Sequence, residues 1–193
     1  NDTQNVSGLG TEKEPPLLLY YTAAGGTNRL SAGKAFTICL AYSLDGGKTF
    51  EKYAQNPVLP NVTYGNRDPK MIYHAPSKRW IMALFMDGYR FDFFSSDDLL
   101  NWKFESEEIF PLLNECPDLF ELEGTGKWVM LAGADYWGDH SVGKYYIGAF
   151  YGHRFCKEDG PYPIDFGKDF YSLQPFEGDP CGRRILMGWR TQN

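Results

Sequence analysis

The sequence of 193 residues lacks the patterns that indicate helices, membrane spans or metal centres. No long segment rich in Ala, Leu, Glu and Lys repeats its apolar residues at helical spacing, which argues against a helical fold. No run approaches the roughly 20 apolar residues of a membrane-spanning helix. Only four cysteines and three histidines occur, without a CxxC pair or metal-ligand spacing, so we expect neither a metal nor a cofactor.

Basic residues are also fewer than acidic ones: the chain has 19 Lys and Arg and 25 Asp and Glu, which gives a net charge of −6. Nucleic acids and anionic membranes select basic surfaces, so neither is an expected partner, and a neutral ligand such as a sugar suits this surface better. The N-terminal stretch "NDTQNVSGLGTEKEPP" is polar and is no signal peptide. We favour a secreted or periplasmic location over a cytoplasmic one, although no targeting signal decides it.

What the sequence does contain is turn-forming and aromatic residues: 21 Gly, 12 Pro, 14 Phe, 13 Tyr and 5 Trp. Aromatic residues favour strands, and Gly and Pro favour the turns between them. The composition therefore predicts an all-β domain.

A repeat of about 50 residues runs through the chain. "YSLDGGKTFEKY" from Tyr42 resembles "FSSDDLLNWKFE" from Phe94, which pairs Asp45 with Asp97 as turn residues between two strands. A second set of similar segments, each with an Asp, a strand, a polar turn and a strand, starts near Asp68, Asp118 and Asp169.

Four-stranded units at this period are typical of β-propeller blades, although a meandering sandwich has a similar period. We predict a partial propeller of three to four blades, part of a longer array whose open edges favour self-association. The expected units are two whole blades flanked by two incomplete ones, at 66–107, 114–157, 1–65 and 158–193. Inner strands of successive blades line one channel, which would bring Asp68, Glu115 and Asp169 into one pocket.

Two motifs on these strands resemble those of a known family. "RDPK" at 67–70 and "ECPDLF" at 115–120, with "YSLDGGKTFEKYAQNPVL" before them and "DFGKDFYSLQPF" and "GRRILMGW" after them, are similar to glycoside hydrolase family 32, the invertases, inulinases and levanases. The resemblance implies a five-bladed propeller followed by a β-sandwich, and a substrate of the fructan or sucrose type.

The same resemblance implies a retaining hydrolase with two carboxyl groups about 5 to 5.5 Å apart. Glu115 would be the acid/base, with a raised pKa, and Asp68 would stabilise the transition state. Arg67 would bind substrate hydroxyls or fix the carboxyls, and Cys116 would tune their environment. The full set of expected substrate-binding residues is Arg67, Cys116, Asp169, Tyr171 and Gln174.

One expected element is missing, because the family's nucleophile is an Asp in an "NDPNG"-type motif that this chain does not contain. Asn1-Asp2 shares its first two letters, but the following residues match a later part of the family pattern. We therefore expect this chain alone to be inactive. Two alternatives stay open: a carbohydrate-binding propeller without catalysis, and a related hydrolase of arabinosides or xylosides, against which "ECPDLF" argues.

Overall fold

The computed structural model describes residues 1–134, 141–167 and 169–190, and the regular structure in these ranges is entirely β-strand. In these described ranges fourteen strands form four sheets. The first sheet has the order β1 (Leu17–Ala23), β2 (Thr37–Ser43), β3 (Glu51–Lys52), and the second has the order β4 (Arg67–His74), β5 (Arg79–Phe85), β6 (Arg90–Ser96), β7 (Lys103–Ile109). The third contains β8 (Leu113–Leu122), β9 (Lys127–Ala134), β11 (Lys144–Phe150) and β12 (Phe155–Pro163), and the fourth contains β10 (Ser141–Val142), β13 (Asp169–Phe176) and β14 (Ile185–Trp189).

The second and third sheets are four-stranded antiparallel meanders, as in propeller blades. Their innermost strands, β4 and β8, are in direct contact, and β8 also contacts β13 of the fourth sheet. The short strand β10 leaves the third sheet and pairs in parallel with the start of β13. The first strands of successive sheets therefore lie side by side.

Aromatic side chains fill the space between the second and third sheets. Phe110, in the connection between them, is fully buried and makes edge contacts with Phe91 on one side and Tyr146 and Phe155 on the other. His74, at the end of β4, packs against the rings of Trp128 and Phe150, which also contact each other. Much of the aromatic content is thus core that holds adjacent sheets together.

The two Asp-containing turns are real, but the predicted pairing of Asp97 with Asp45 is wrong by one residue. Asp45 accepts hydrogen bonds from Ser43 Oγ and the backbone of 48 and 49, and Asp98 makes the same set with Ser96 Oγ and the backbone of 100 and 101. Asp97 is instead exposed and pairs with Arg79. The second turn is one residue shorter, so an alignment on its final aromatic residue shifts the Asp.

Candidate active site

The pairing of three neighbouring strands, β4, β8 and β13, is interrupted at segments that carry predicted site residues. The regular pairing breaks between Arg67 and Lys70 on β4, between Asn114 and Asp118 on β8, and between Tyr171 and Gln174 on β13. On β4 and β8 each interruption contains a proline, which has no N–H to donate to the neighbouring strand. The motifs "RDPK" and "ECPD" therefore encode local bulges that turn side chains towards the neighbouring blade.

Four residues in these bulges have left-handed backbone conformations, which non-glycine residues rarely adopt. They are Asp68 (φ 59°), Glu115 (φ 53°), Cys116 (φ 45°) and Ser172 (φ 52°). Such conformations cost roughly 1–3 kcal/mol each and persist where surrounding contacts hold them. All four lie at the interruptions of three neighbouring strands. The contacts around the site therefore hold an unfavourable backbone in a fixed geometry.

Glu115 is held between two donors from other blades. Arg67 Nη2 donates to Glu115 Oε1 at 2.5 Å, and the Tyr171 hydroxyl donates to Oε2 at 2.7 Å. Burial by itself would raise the pKa of Glu115, but the bonds from Tyr171 and Arg67 and the arginine charge outweigh it, so the pKa is lowered. The expected raised pKa of Glu115 is therefore wrong, because the two donors hold the acid candidate as a carboxylate.

Asp68 is oriented by its neighbours on both sides. Its backbone N–H donates to Thr22 Oγ1 on β1 at 3.0 Å, and its Oδ2 accepts from the backbone N–H of Cys116 at 3.1 Å. Burial raises the pKa of Asp68 despite that bond and the charge of Arg67, whose Nε lies 3.8 Å from Oδ2. Asp68 and Glu115 thus share one guanidinium while their pKa values shift in opposite directions.

Arg67 can bridge the two carboxylates because its guanidinium is fixed on other sides as well. Nη1 donates to the carbonyl of Gly65 at 2.8 Å, and the guanidinium carbon lies 4.4 Å from the centre of the Phe85 ring. A Cβ at position 65 would lie 3.0 Å from Nη1, so glycine leaves room for this close approach. A planar cation held in this way is a rigid support for the pair.

The side chain of Cys116, the residue after Glu115, contacts Asp68 on the neighbouring strand. Its thiol lies 3.8 Å from Asp68 Oδ2 and accepts a hydrogen bond from Ser172 Oγ at 3.4 Å. Burial raises the pKa of Cys116 to about 11, so the group is a neutral thiol near neutral pH. It can therefore act on the local environment of Asp68 without adding charge.

Two other predicted pocket residues, Asp169 and Gln174, lie on β13, the strand that carries Tyr171. Asp169 begins β13 and is half-buried, two residues before Tyr171 on the same strand. The Gln174 amide donates to the carbonyl of Leu173. Asp118 pairs with Lys70 Nζ at 2.6 Å across the two sheets.

Asp2 does not join the carboxylate pair. Its carboxylate accepts hydrogen bonds from the backbone of Val6 and from the backbone and hydroxyl of Ser7. It lines a small cavity with Tyr73, which lies near the end of β4 opposite to Asp68. Asp2 therefore serves a turn, in agreement with the sequence context that sets it apart from the nucleophile motif.

Several residues of the site are not marked by any motif in the sequence. Thr22, Gly65, Phe85 and Ser172 each support a motif residue, yet the first three stand in no pattern that marks them. Ser172 is the exception in part, since it follows Tyr171 in a segment already singled out. The other three act through contacts that only folding creates.

The fold and the site together define a class: β-propellers that bring paired carboxyl groups to the inner ends of adjacent blades. The sequence profile of the glycosyl hydrolases family 32 N-terminal domain matches residues 1–193. The chain belongs to this family.

Relatives and solved structures agree. The levanase of Bacillus subtilis (strain 168) is 34% identical over 98% of this chain and 30% of its own length, and the extracellular exo-inulinase of Meyerozyma guilliermondii is 41% identical over 79% and 32%. The β-fructofuranosidase structure from Schwanniomyces occidentalis, complexed with fructosyl-erythritol, superposes with a TM-score of 0.84 at 31% identity, covering 97% of this chain and 38% of that one. The chain thus spans about a third of the length of the curated relatives it matches.

Proposed function

We propose that the protein containing this chain is a glycoside hydrolase that releases β-fructosyl units from fructans or sucrose with retention of configuration. Glu115 protonates the leaving oxygen as the C2–O bond breaks, and a carboxylate nucleophile takes the fructosyl group. Glu115 then removes a proton from the water that hydrolyses this intermediate. Asp68 binds fructose hydroxyls and stabilises the transition state, while Arg67 orients both carboxyls.

The observation that carries the proposal is the shared guanidinium. Arg67 and Glu115 are 48 residues apart in sequence and form an ion pair at 2.5 Å, and Arg67 also lies 3.8 Å from Asp68. Both carboxylates stand on strands that are interrupted at the two family motifs. The two carboxyl groups stand in distinct electrostatic environments, but the directions of their pKa shifts are the reverse of those that a general acid at Glu115 needs, so the support comes from the shared contacts and the motifs alone. Tyr171, as a donor to Glu115, is part of the same constellation.

We propose the remaining features on the same basis. The partial catalytic propeller has whole blades at 66–107 and 114–157 and incomplete ones at 1–65 and 158–193, except that β12 extends the third blade to Pro163. This chain lacks the nucleophile motif, so it is inactive by itself, and its open blade edges favour self-association. Among the described residues no helix is long and apolar enough to cross a bilayer. Secretion is proposed from relatives named extracellular exo-inulinase.

A carbohydrate-binding propeller without catalysis is the second candidate. The lowered pKa of Glu115 favours it, because a carboxylate that stays ionised accepts hydrogen bonds from sugar hydroxyls but donates no proton. Such a protein would bind fructosides and release no fructose.

The deciding experiment is Glu115→Gln in the full-length protein, assayed for fructose release from sucrose, inulin and levan. General acid catalysis is worth roughly 100- to 10,000-fold, so we expect kcat to fall by at least 100-fold. Glu107→Gln is the matched control, since Glu107 on β7 also pairs with an arginine, Arg90, at 3.1 Å but is about half exposed.

Near-wild-type turnover of Glu115→Gln would exclude the acid role. Wild-type protein that binds fructose without hydrolysing any of the three substrates would favour the binding protein instead.

A further inference from the structure

Contacts between β4 and β8 keep one separation in sequence. Three polar contacts join the two strands, and in each the residues are 48 apart: Arg67–Glu115, Asp68–Cys116 and Lys70–Asp118. The constant separation shows that the strands run in the same direction and keep one register through their interruptions. The first two contacts belong to the site described above, and the third lies beyond it.

The Lys70–Asp118 ion pair stands where regular strand pairing resumes after both bulges. Lys70 is the first residue of β4, and Asp118 the first of β8, that pairs again with the next strand of its own sheet. Asp68 stands two residues before Lys70, and Glu115 stands three before Asp118. The bulges that carry the two carboxyl groups are thus tied by Arg67 at one end and by this ion pair at the other.

The ion pair is buried, and its carboxylate depends on the lysine. Lys70 Nζ lies 2.6 Å from Asp118 Oδ2, and the Asp118 side chain is 1% exposed. Asp118 Oδ1 has no hydrogen-bond partner in the part of the chain that the structure describes. Burial raises the pKa of Asp118, and the charge and hydrogen bond of Lys70 oppose this most strongly. The main partner of this carboxylate therefore comes from the neighbouring blade.

Such a pair specifies register more than it stabilises the fold. A buried ion pair adds little net stability, because the removal of both charges from water offsets much of their attraction. Asp118 meets its cation, however, only when β4 and β8 are aligned at the separation of 48 residues. Apolar side chains at the same two places would pack in more than one relative position of the strands, since cores lose uniqueness before they lose stability.

We propose that Lys70 and Asp118 are positioning residues, which hold β4 and β8 in the one register that presents Asp68 and Glu115 to the same sugar ring. The inference rests on the proposed function, because the alignment of the two carboxyl groups matters for rate only if both act on one substrate. Both residues act through the backbone of the bulges and not by contact with substrate. A misplacement of about 1 Å at reacting groups can lower a rate about 100-fold, so this alignment affects catalysis more than stability.

The test replaces the ion pair by apolar residues, as Lys70→Met/Asp118→Leu in the full-length protein. This double variant leaves no buried charge without a partner, so we expect its melting temperature to stay within about 5 °C of wild type. The kcat of fructose release should nevertheless fall roughly 10- to 100-fold.

Arg90→Met/Asp92→Leu is the matched control. It removes an ion pair of similar burial, at 2.7 Å, that lies within β6 and does not join β4 to β8. We expect its kcat to stay within about threefold of wild type. A Lys70→Met/Asp118→Leu variant that keeps wild-type kcat, or a control that loses as much, would overturn the inference. A double variant that does not fold while the control folds would show a purely structural role and would overturn it as well.

Amide hydrogen exchange separates this inference from the proposed reaction. The Cys116 N–H donates to Asp68 Oδ2 at 3.1 Å across the two strands, so its exchange rate reports whether their register holds. We expect this rate to rise about 10-fold or more in Lys70→Met/Asp118→Leu, while the amides of β6 keep their rates. If the wild type releases no fructose but this rise occurs, the hydrolytic function fails and the register role stands. If the wild type hydrolyses fructosides and the exchange rate is unchanged in the double variant, the register role fails alone.

Discussion

The hydrogen bond from Tyr171 to Glu115 should set the alkaline limit of activity. Tyr171→Phe removes only the hydroxyl that donates to Glu115 Oε2 at 2.7 Å and keeps the ring that packs against Gly133. The bond from Tyr171 is one of the causes that lower the pKa of Glu115, so its removal raises that pKa. An acid with a higher pKa stays protonated to higher pH.

The size of the shift follows from the strength of the bond and the exposure of the carboxylate. A hydrogen bond to a charged group is worth roughly 1.5–3 kcal/mol. The Glu115 side chain is 34% exposed, and we halve the value for solvent screening. The remaining effect of roughly 0.7–1.5 kcal/mol corresponds to about 0.5–1 pH unit. Arg67 still pairs with Glu115 and limits the shift.

The assay is the pH profile of kcat/KM for fructose release by the full-length protein, whose basic limb reports the acid in the free enzyme. We expect this limb to move to higher pH by about 0.5–1 unit in Tyr171→Phe. Tyr162→Phe is the matched control, because Tyr162 on β12 donates to an exposed carboxylate, Asp159. A basic limb that stays in place, or moves to lower pH, would refute the assignment of Glu115 as the acid tuned by Tyr171.

Two further predictions concern the contacts that support the site. Lys70→Met should lower the melting temperature more at pH 8 than at pH 5, because it leaves the buried Asp118 without its cation, and burial already raises the pKa of Asp118 to about 6. The expected cost at pH 8 is about 3–5 kcal/mol, and an equal loss at both pH values would contradict the reasoning. Gly133→Ala would bring a Cβ to 2.5 Å from the carbonyl oxygen of Asn114 and 2.7 Å from the Tyr171 ring. It should cost about 1–3 kcal/mol in chemical denaturation and reduce kcat/KM, and unchanged values of both would show that the site is less tightly packed.

The sequence alone determined the fold class, because strand and turn propensities are local properties that repeat about every 50 residues. The bulges on β4 and β8 also have a local origin, since Pro69 and Pro117 cannot complete a strand ladder wherever the strand lies. The family motifs around Asp68 and Glu115 are likewise contiguous stretches, so their recognition needed no coordinates.

Tertiary structure decided which groups meet these motifs and with what effect. Thr22 reaches Asp68, and Tyr171 reaches Glu115, only because their strands become neighbours in space. The direction of the Glu115 pKa depends on the balance between burial and those distant donors, so the expectation from its motif was wrong. The shift from Asp97 to Asp98 was also decided by the folded structure. The backbone N–H groups of 100 and 101 point to the carboxylate of Asp98, and the sequence alone does not show which Asp they meet. A local stretch of sequence does not show which residues about 50 positions away will contact it. The pKa of a group depends on the charges and donors that surround it in space, so it could not be predicted from the motif alone.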